Sequence, residues 1–319
     1  MKFVCTDLLL LARPDGKLTL FSESISKKVE SSAALKDALP PVLCRPIISH
    51  ELDEVVTLLC EGFPTRSPSY WRKGFDNLER INQGINPGNT LECNGELVGV
   101  LLGLRDPGSP GDNDRCHLSS WYVKPAFRAA AMMLERRLTA NPSTTYVSAS
   151  PALHTLKLIR LLRYEPYNAD SLVCLPWLSL GRNVRVESYV PAQHDHLFQD
   201  HATARMAGDH LAFGCIVCVA LTKDGPRLFV FARRRQLPLG MDVVQLVYAA
   251  SHEDLEAFTG PVGCFLLLRR VGLWMVDADE RINGVPGFLF SNRARRWAKR
   301  PNPPRRHDLS YSELAIFGF

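Results

Sequence analysis

The sequence has 319 residues, a hydrophobic content of 46%, a charged content of 22% and a formal net charge of +5. The length suits two domains, and the composition is that of a globular protein rather than a disordered or fibrous one. The mild positive charge suits anionic ligands but is far from that of a dedicated nucleic-acid-binding protein, so a nucleic-acid partner is not favoured.

The nine cysteines are odd in number and follow no framework spacing, which argues against a disulfide scaffold and favours the reducing cytoplasm. No apolar run approaches membrane-spanning length, so no membrane partner is expected. Near the N-terminus Asp7 interrupts a short leucine run, and no small-residue cleavage site follows. The start of the chain is therefore not predicted to be a signal peptide.

Residues 1–40 end in a segment rich in Ser, Lys and Ala and are predicted to be a tail or linker. A short strand is predicted at Leu43–Ile47, followed by a helix with Ser49 as its N-cap. The apolar stripe of that helix is Leu52, Val55, Val56, Leu59 and Phe63. A second helix is predicted over Ser69–Arg80.

A hairpin is predicted over Thr90–Leu104, because Asn94-Gly95 is the preferred type I′ turn pair between apolar runs. The next strand, Cys116–Val123, stops at Pro125 and leads into an amphipathic helix from about Ala126. A strand that turns directly into a helix leaves backbone N–H groups unpaired at the helix start, and with the helix dipole they favour an anion. The following elements are predicted as a strand, a helix and a strand, over Thr144–Ala149, Leu153–Leu162 and Ser171–Leu175.

This order of elements resembles the GCN5-related N-acetyltransferase family over residues 42–178. The resemblance rests on four pieces: Cys44-Arg45-Pro46 with the acid-rich helix after it, the hairpin Gly95–Gly103, the segment Trp121–Leu138 and the late helix Leu153–Tyr164. It implies a mixed α/β (α+β) fold, with a mostly antiparallel twisted sheet flanked by helices. It also implies acetyl-CoA or another acyl-CoA as the cofactor.

The resemblance places the cofactor on the turn after the strand. The implied cofactor-binding residues are Val123, Arg128, Ala129, Ala130, Ala131, Met132 and Met133. Ala129 and Ala131 stand where the family usually has glycines that let a pyrophosphate approach the backbone. In the late helix, Ile159 stands where the family often has a tyrosine that protonates the leaving thiolate. The alternative interpretation of the turn is an ordinary strand–helix connection with a solvated Arg128.

Acyl transfer to an amine needs a group that removes a proton and a group that polarises the thioester. Strand alternation places His117, Ser119 and Trp121 on one face and Leu118, Ser120 and Tyr122 on the other. His117 and Tyr122 are the first candidates for base or acid, and Glu92 near the hairpin is a third. For each of them the structural alternative is a partnered or solvated side chain. No metal site is predicted.

Residues 184–319 loosely repeat the order of elements of the first half and are predicted to form a second, degenerate domain of the same type. A helix is predicted at Leu197–Met206, and another at His252–Phe258 with Ser251 as its N-cap. Strands are predicted at Leu211–Leu221, Arg227–Ala232, Val243–Ala249, Cys264–Leu268 and Leu273–Val276. Cys215 and Cys218 are interpreted as core thiols, and the histidines between 194 and 210 as residues of a surface helix.

The basic run 293–306 is interpreted as a solvated loop. The alternatives are contact with an acidic partner, a phospholipid surface or the 3′-phosphate of the cofactor, or with nucleic acid, which is not favoured because Trp297 is the only aromatic residue within the run. The sequence thus predicts three parts: residues 1–40, an acyl-CoA-binding domain over 41–183 and a second domain over 184–319. The expected activity is transfer of an acetyl or other acyl group from coenzyme A to a small-molecule or peptide amine by direct attack. The alternative is a non-catalytic protein of the same fold that acts as a cofactor sensor or interaction module.

Overall fold

The structure, a computed structural model, describes residues 41–81, 86–107, 114–179, 183–236, 242–291, 295–299 and 302–318. The predicted tail or linker over residues 1–40 lies outside the described residues. Contacts along the chain separate Met1–Val42 from a compact unit, Leu43–Phe319. In the described part of the chain, no helix is both long enough and apolar enough to cross a membrane.

The helices and strands alternate along the chain. The α-helices are α1 (Leu52–Gly62), α2 (Pro68–Ile81), α3 (Ala131–Leu138), α4 (Leu156–Leu161), α5 (Pro191–His194), α6 (His201–Phe213), α7 (His252–Leu267) and α8 (Glu313–Ile316). The strands of the first half are β1 (Val42–Pro46), β2 (Gly88–Cys93), β3 (Glu96–Arg105), β4 (Arg115–Val123), β5 (Thr145–Ser148), β6 (Glu165–Asn168) and β7 (Ser171–Cys174). Those of the second half are β8 (Arg185–Ser188), β9 (Ile216–Thr222), β10 (Gly225–Gln236), β11 (Asp242–Ala249), β12 (Val271–Asp277), β13 (Gly287–Phe290) and β14 (Arg296–Lys299).

These strands form two seven-stranded sheets with the same internal order. The first sheet is β1-β2-β3-β4-β5-β14-β6, and the second is β8-β9-β10-β11-β12-β7-β13. In each sheet the fourth and fifth strands are parallel, whereas the hairpin neighbours before them are antiparallel. The expected mixed α/β (α+β) fold, with mostly antiparallel sheets flanked by helices, is confirmed.

The two halves of the chain exchange their last strands. Strand β7 lies between β12 and β13 of the second sheet, and β14 lies between β5 and β6 of the first. Each sheet is therefore completed by a strand from the other half, which explains why Leu43–Phe319 is one compact unit. The division of the chain into domains at residue 183 stays a prediction.

The sequence signals of the first half correspond closely to its elements. Asn94 and Gly95 have φ values of 52° and 80°, as a type I′ hairpin turn requires. The predicted strands and helices from residue 43 to residue 175 are all present, apart from shifts at their ends. Ser49 is not an N-cap, because a short 3-10 turn precedes α1 and the Glu51 carboxylate accepts a hydrogen bond from the Ile48 N–H instead. Strand β6 was not predicted.

The helix predicted at Leu197–Met206 begins only at His201, because Leu197 ends a separate 3-10 turn. Two of the predicted strands are wrong over part or all of their length. Residues 264–267 are helical rather than a strand, because α7 continues through Pro261 to Leu267, with Ser251 capping its start as predicted. Residues 211–213 belong to α6, which ends at Gly214 with a left-handed φ of 94°. The interpretation of Cys215 and Cys218 as core thiols is confirmed, since both are buried.

The sequence predicted that His194 and His210 lie on a surface helix, and this prediction is wrong. Both are buried, and His210 bonds to the Met206 carbonyl through Nδ1 and accepts from the Tyr311 N–H through Nε2. The backbone of Val190 also bonds to the His194 ring. Both histidines are therefore buried, hydrogen-bonded residues of the second half. Among the described residues, no three His, Cys, Asp or Glu side chains are grouped so that they could hold a metal ion.

The basic run 293–306 is not simply a solvated loop. Arg296 in β14 is buried and pairs with Asp277 of β12, at 2.6 Å between Nε and Oδ2. Lys299 pairs with the buried Glu135 of α3 at 2.7 Å. Arg296 therefore joins the first sheet to the second, and Lys299 joins the first sheet to α3. An acidic partner that binds the other basic residues of this run stays a prediction.

Gly263 of α7 and Gly208 of α6 provide a test of packing. A Cβ added at Gly263 would lie 2.6 Å from backbone atoms of Pro176 and Trp177, whereas at Gly208 the nearest atom is 3.9 Å away. We expect Gly263→Ala to destabilise the fold by about 1–3 kcal/mol through overpacking. Gly208→Ala should instead stabilise it by roughly 0.5–1 kcal/mol, because alanine is the better helix former. Urea unfolding of both variants checks this, and equal effects would contradict the close contact at Gly263.

Candidate functional site

The candidate site lies where β4 and β5 separate. The two parallel strands pair only from Arg115–His117 opposite Thr145–Val147. Beyond that point β4 continues to Val123 with β3 as its only strand partner among the described residues. Its other edge, over residues 118–123, is therefore available to a ligand with amide groups of its own.

A bulge bends β4 at this point. The β3–β4 register shifts between the pairs Leu102–Ser119 and Val100–Tyr122, and Ser120 has a φ of 54°. This left-handed conformation is uncommon for a residue other than glycine and persists only where the surrounding structure imposes it. The bulge breaks the predicted alternation of side chains, so four consecutive residues of β4 line one cavity.

That cavity has a volume of about 360 Å³. It is bounded by β4, by the end of β5 and the loop after it, by α4, by the α1–α2 connection with the start of α2, and by the segment around α8. Its polar lining residues are Arg66, Ser119, Ser120, Ser148, Ser150, Thr155 and Glu313. Its apolar and aromatic lining includes Phe63, Tyr70, Trp71, Leu101, Leu118, Trp121, Ile159, Leu162, Tyr164, Leu314 and Phe317.

Glu313, in the first turn of α8, is the one acidic side chain among the described residues that line this cavity. The Ser150 hydroxyl donates a hydrogen bond to its Oε1. Its Oε2 is buried and has no hydrogen-bond partner within the described residues. Burial raises the pKa of the Glu313 carboxyl above 4.5, and the Ser150 bond offsets this in part. A carboxylate with these properties in a cavity is a candidate proton acceptor.

Helix α2 holds the segment that carries Glu313. The Asn77 amide donates a 2.7 Å hydrogen bond to the Ile316 carbonyl. The Phe317 ring lies directly against Gly74, where an added Cβ would come within 1.9 Å of the ring. Helix α2 therefore holds the C-terminal end of this short segment, and the Ser150 hydrogen bond holds the Glu313 carboxylate at its start.

The three predicted catalytic candidates lie apart from one another and do not line the cavity. His117 is buried in the first sheet. Its pKa is lowered to about 3, mainly by burial and to a smaller extent by the positive charge of the neighbouring Arg115. Tyr122 donates a 2.7 Å hydrogen bond to Glu61 of α1, and burial and that bond raise its pKa to about 12. Glu92 pairs with Arg45 at 2.7 Å. A catalytic role for these three residues stays a prediction.

The predicted cofactor turn has a specific local structure. Pro125–Ala130 is a 3-10 helix of six residues, and α3 begins only at Ala131. The Phe127 N–H donates to the Lys124 carbonyl and the Ala131 N–H donates to the Arg128 carbonyl. Runs of 3-10 helix longer than three or four residues are uncommon, so this turn is open to rearrangement. Val123 ends β4 beside it, and Arg128, Ala129 and Met133 are exposed.

The remaining residues predicted for the cofactor, Ala130 and Met132, are half-buried on the same turn. Arg128 has no ion-pair partner among the described residues, so its charge remains available to an anion. Whether these residues bind the cofactor stays a prediction.

In the second half β11 and β12 separate in the same way as β4 and β5, but residues 307–309 occupy the space between them. Beyond its pairing with β12, strand β11 bonds to residues 307–309. The Ala249 N–H donates to the His307 carbonyl at 3.0 Å, and the Leu309 N–H donates to the Val247 carbonyl at 2.7 Å. Residues 307–309 thus cover the edge of β11 that corresponds to the uncovered edge of β4.

Sequence reasoning missed Glu313, Ser150 and the aromatic wall. The pattern Ser312-Glu313 before an apolar run is a helix-start signal, and it predicts α8. It gives no reason to place α8 against β5, which lies more than 160 residues earlier in the chain. Ile159 lines the cavity but supplies no hydroxyl, and its alignment with the family's tyrosine stays a prediction.

The sequence matches no family model and no curated protein. Solved structures are similar to it at low identity. A GCN5-related N-acetyltransferase from Anabaena variabilis matches with a TM-score of 0.55 and 10% identity, covering 81% of this chain and 72% of that one. One from Kribbella flavida matches with a TM-score of 0.51 and 13% identity, covering 81% and 70%.

A third similar structure is the GCN5-related glucosamine N-acetyltransferase region of a fungal multi-domain GH3 β-N-acetylglucosaminidase. It matches with a TM-score of 0.52 and 10% identity, covering 82% of this chain and 38% of that one. The chain has the fold of the GCN5-related N-acetyltransferases.

Proposed function

We propose that the protein is an acyl-CoA-dependent N-acyltransferase that moves an acetyl or other acyl group to an amine by direct attack. The observation that carries this is the cavity between β4 and β5, with the unpartnered Oε2 of Glu313 in its wall. The fold, shared with known acetyltransferases, supports it. Small-molecule and peptide amines are both within the proposal, and the cytoplasm is the proposed location.

Residues of the first half fit the acyl donor. The uncovered edge of β4 over residues 118–123 offers backbone groups to the amides of the pantetheine arm. Arg128 supplies a cation beside the turn where the pyrophosphate is proposed to bind. Ala129 and Ala131 narrow that turn by one methyl each relative to glycine. When bound, acyl-CoA supplies a thioester carbonyl carbon, to which the amine forms a C–N bond as the C–S bond breaks and the thiol leaves.

Within this scheme the chain positions the reactants and removes a proton. The cavity holds the amine against the β4 bulge, so that the reaction becomes effectively intramolecular. The carboxylate of Glu313 accepts the proton that the nitrogen loses as the amide forms. That proton then passes to solvent, and the released thiolate is protonated from solvent, since Ile159 cannot donate a proton.

Isothermal calorimetry with acetyl-CoA and longer acyl-CoAs tests the proposal. We expect one acyl-CoA per chain, because residues 307–309 cover the equivalent edge in the second half. Ala131→Glu should abolish binding, since a carboxylate at the start of α3 opposes the pyrophosphate. Ala202→Glu is the matched control, because Ala202 is also a half-buried first-turn alanine, at the start of α6. Absence of binding to any acyl-CoA would overturn the proposal.

A second candidate function is a non-catalytic cofactor sensor or interaction module of the same fold. It is favoured by Ile159, which lines the cavity where the family often has a tyrosine, and by the bonded 3-10 turn at Pro125–Ala130. Acyl-CoA binding without thiol release, over a panel of amines, would favour this candidate over the enzyme.

A further inference from the structure

One side of the cavity is a continuous aromatic wall. Phe63, Tyr70, Trp71 and Phe317 are joined by ring contacts, with centroids 5.6 Å apart for Phe63–Trp71 and for Trp71–Phe317, and 5.8 Å apart for Tyr70–Phe317. The wall is built by the α1–α2 connection, α2 and the segment after α8. The Phe63–Trp71 pair is tilted and the Trp71–Phe317 pair is edge-on, so the wall presents both ring faces and ring edges as an apolar surface to a ligand.

The polar groups beside this wall are few and distinct. The Glu313 Oε2 and the Trp71 Nε1 are buried and lack hydrogen-bond partners within the described residues. Buried groups without partners are costly unless a ligand completes them. One is an acceptor suited to an amine nitrogen, and the other is a single N–H donor.

The charged side chains of the cavity favour an acceptor amine that carries only one cationic group. Glu313 is its one acidic side chain among the described lining residues, and Arg66 is a cation of the same wall. The Arg66 guanidinium lies 4.5 Å from the centroid of the Tyr70 ring, so that ring already has a cation on its face. A second ammonium group on the acceptor would have no carboxylate to pair with and would be repelled by Arg66.

We propose that the acceptor is a monoamine whose nitrogen is carried by an aromatic or similarly large apolar group. The inference rests on the proposed acyl transfer at this same cavity. The aromatic group lies against Phe63, Trp71 and Phe317, and the amine nitrogen lies at Glu313. Diamines, polyamines and lysine side chains of cationic peptides are poor acceptors, because each brings a further polar or cationic group that has no second carboxylate to pair with and lies in the same cavity as Arg66.

Thiol release from acetyl-CoA, with 2-phenylethylamine and 1,4-diaminobutane as acceptors, tests this inference. We expect kcat/KM to be at least about tenfold higher for 2-phenylethylamine, since burial of its ring contributes at least the free energy that a factor of ten requires. Equal values, or a higher value for the diamine, would overturn the inference.

Two variants test separately the contribution of the aromatic rings and that of the Arg66 charge. Phe63→Leu should raise KM for 2-phenylethylamine several-fold and leave acetyl-CoA binding unchanged. The matched control is Phe198→Leu, because Phe198 is a partly buried aromatic residue packed against the same core but outside the cavity lining. Arg66→Glu should raise kcat/KM for 1,4-diaminobutane, because it replaces the repelling cation with an acid. An unchanged ratio of the two amines in Arg66→Glu would contradict the charge argument.

The failure of this inference and the failure of the proposed function are distinguishable. If no acyl-CoA binds, the proposed function fails, and where a longer acyl-CoA binds instead of acetyl-CoA it replaces acetyl-CoA as the donor in these assays. If acetyl-CoA binds and the diamine is preferred, the acceptor inference fails while acyl transfer stands. If acetyl-CoA binds and no amine is turned over, calorimetry of each amine against the coenzyme A complex decides, and tighter binding of 2-phenylethylamine is required for the inference to hold.

Discussion

Replacing Glu313 by glutamine is expected to lower kcat/KM by about 10²–10⁴-fold, the contribution that a positioned general base typically makes. In the native protein the acidic limb of the pH profile should lie above 4.5, because burial raises the pKa of this carboxyl. Below that pKa the group is protonated and cannot accept a proton from the amine. In Glu313→Gln this limb should disappear, since glutamine does not titrate. Thiol release measured across pH checks both effects.

Ser150→Ala provides a second, graded test of the same carboxylate. The Ser150 hydroxyl bonds to Glu313 Oε1 and partly offsets the effect of burial on its pKa. Removing the hydroxyl should raise that pKa further and move the acidic limb to higher pH, with a smaller loss of kcat than in Glu313→Gln. An acidic limb that stays in place in both variants would show that Glu313 is not the base.

Loss of activity in Glu313→Gln should not come from loss of the fold. A carboxyl with a raised pKa in the folded state binds its proton more tightly there than in the unfolded chain. Stability therefore falls as pH rises from 4.5 through the raised pKa, and ionised Glu313 is a net cost at neutral pH. Glutamine removes that cost, so the thermal midpoint at neutral pH should stay level or rise. A marked fall in the midpoint would contradict this.

Local signals in the sequence were enough to predict most of the first half. The Asn94-Gly95 turn sets a hairpin register by itself, and Pro125 ends β4 by itself, because each acts through the backbone of its immediate neighbours. The order of such elements then indicated the fold. The same local reasoning failed where a helix contains residues that usually end one, as at Pro261 in α7.

The exchange of β7 and β14 could not be predicted from local patterns. The residues of β7 read as an ordinary short strand and those of β14 as part of a solvated basic run, and nothing in a short strand specifies which distant edge it joins. The candidate site depends on the return of α8 to the first half, where Glu313 contacts Ser150. Glu313 therefore could not be connected to Ser150 or to the β4 bulge, and the candidates chosen from β4 alone, His117 and Tyr122, turned out to lie outside the cavity.

The ion cluster around Asp308 gives the largest expected effect on stability. Asp308 and Arg115 are both about 1% exposed, and Oδ2 of Asp308 lies 3.3 Å from Nη1 of Arg115. The same guanidinium lies 2.7 Å from the buried Asp106. Asp308→Ala leaves part of a buried cation uncompensated, so we expect it to lower the free energy of unfolding by about 3–5 kcal/mol. Urea unfolding at neutral pH measures the loss.

A matched control is Asp279→Ala. Asp279 also pairs with an arginine, Arg306, at 2.6 Å, but the two side chains are 39% and 50% exposed. Water screens that pair, so its loss should cost at most about 1 kcal/mol. The contrast between two aspartates with similar partners isolates burial as the cause. Equal losses in the two variants would contradict the role given to the buried cluster.

The pH dependence of unfolding adds an independent check on Asp308. Burial alone would raise its pKa, but Arg115 and the hydrogen bonds from Ser310 outweigh burial and hold the pKa below 3.8. Its contribution is therefore fully present above pH 3.8 and is lost as pH falls through the lowered folded-state pKa. Asp308→Ala should flatten this part of the acid-unfolding curve, whereas Asp279→Ala should leave it unchanged.

Residues 307–309 also cover the edge of β11 and lead into α8, which carries Glu313. Asp308→Ala should therefore lose acyl transfer at a lower temperature than Asp279→Ala does.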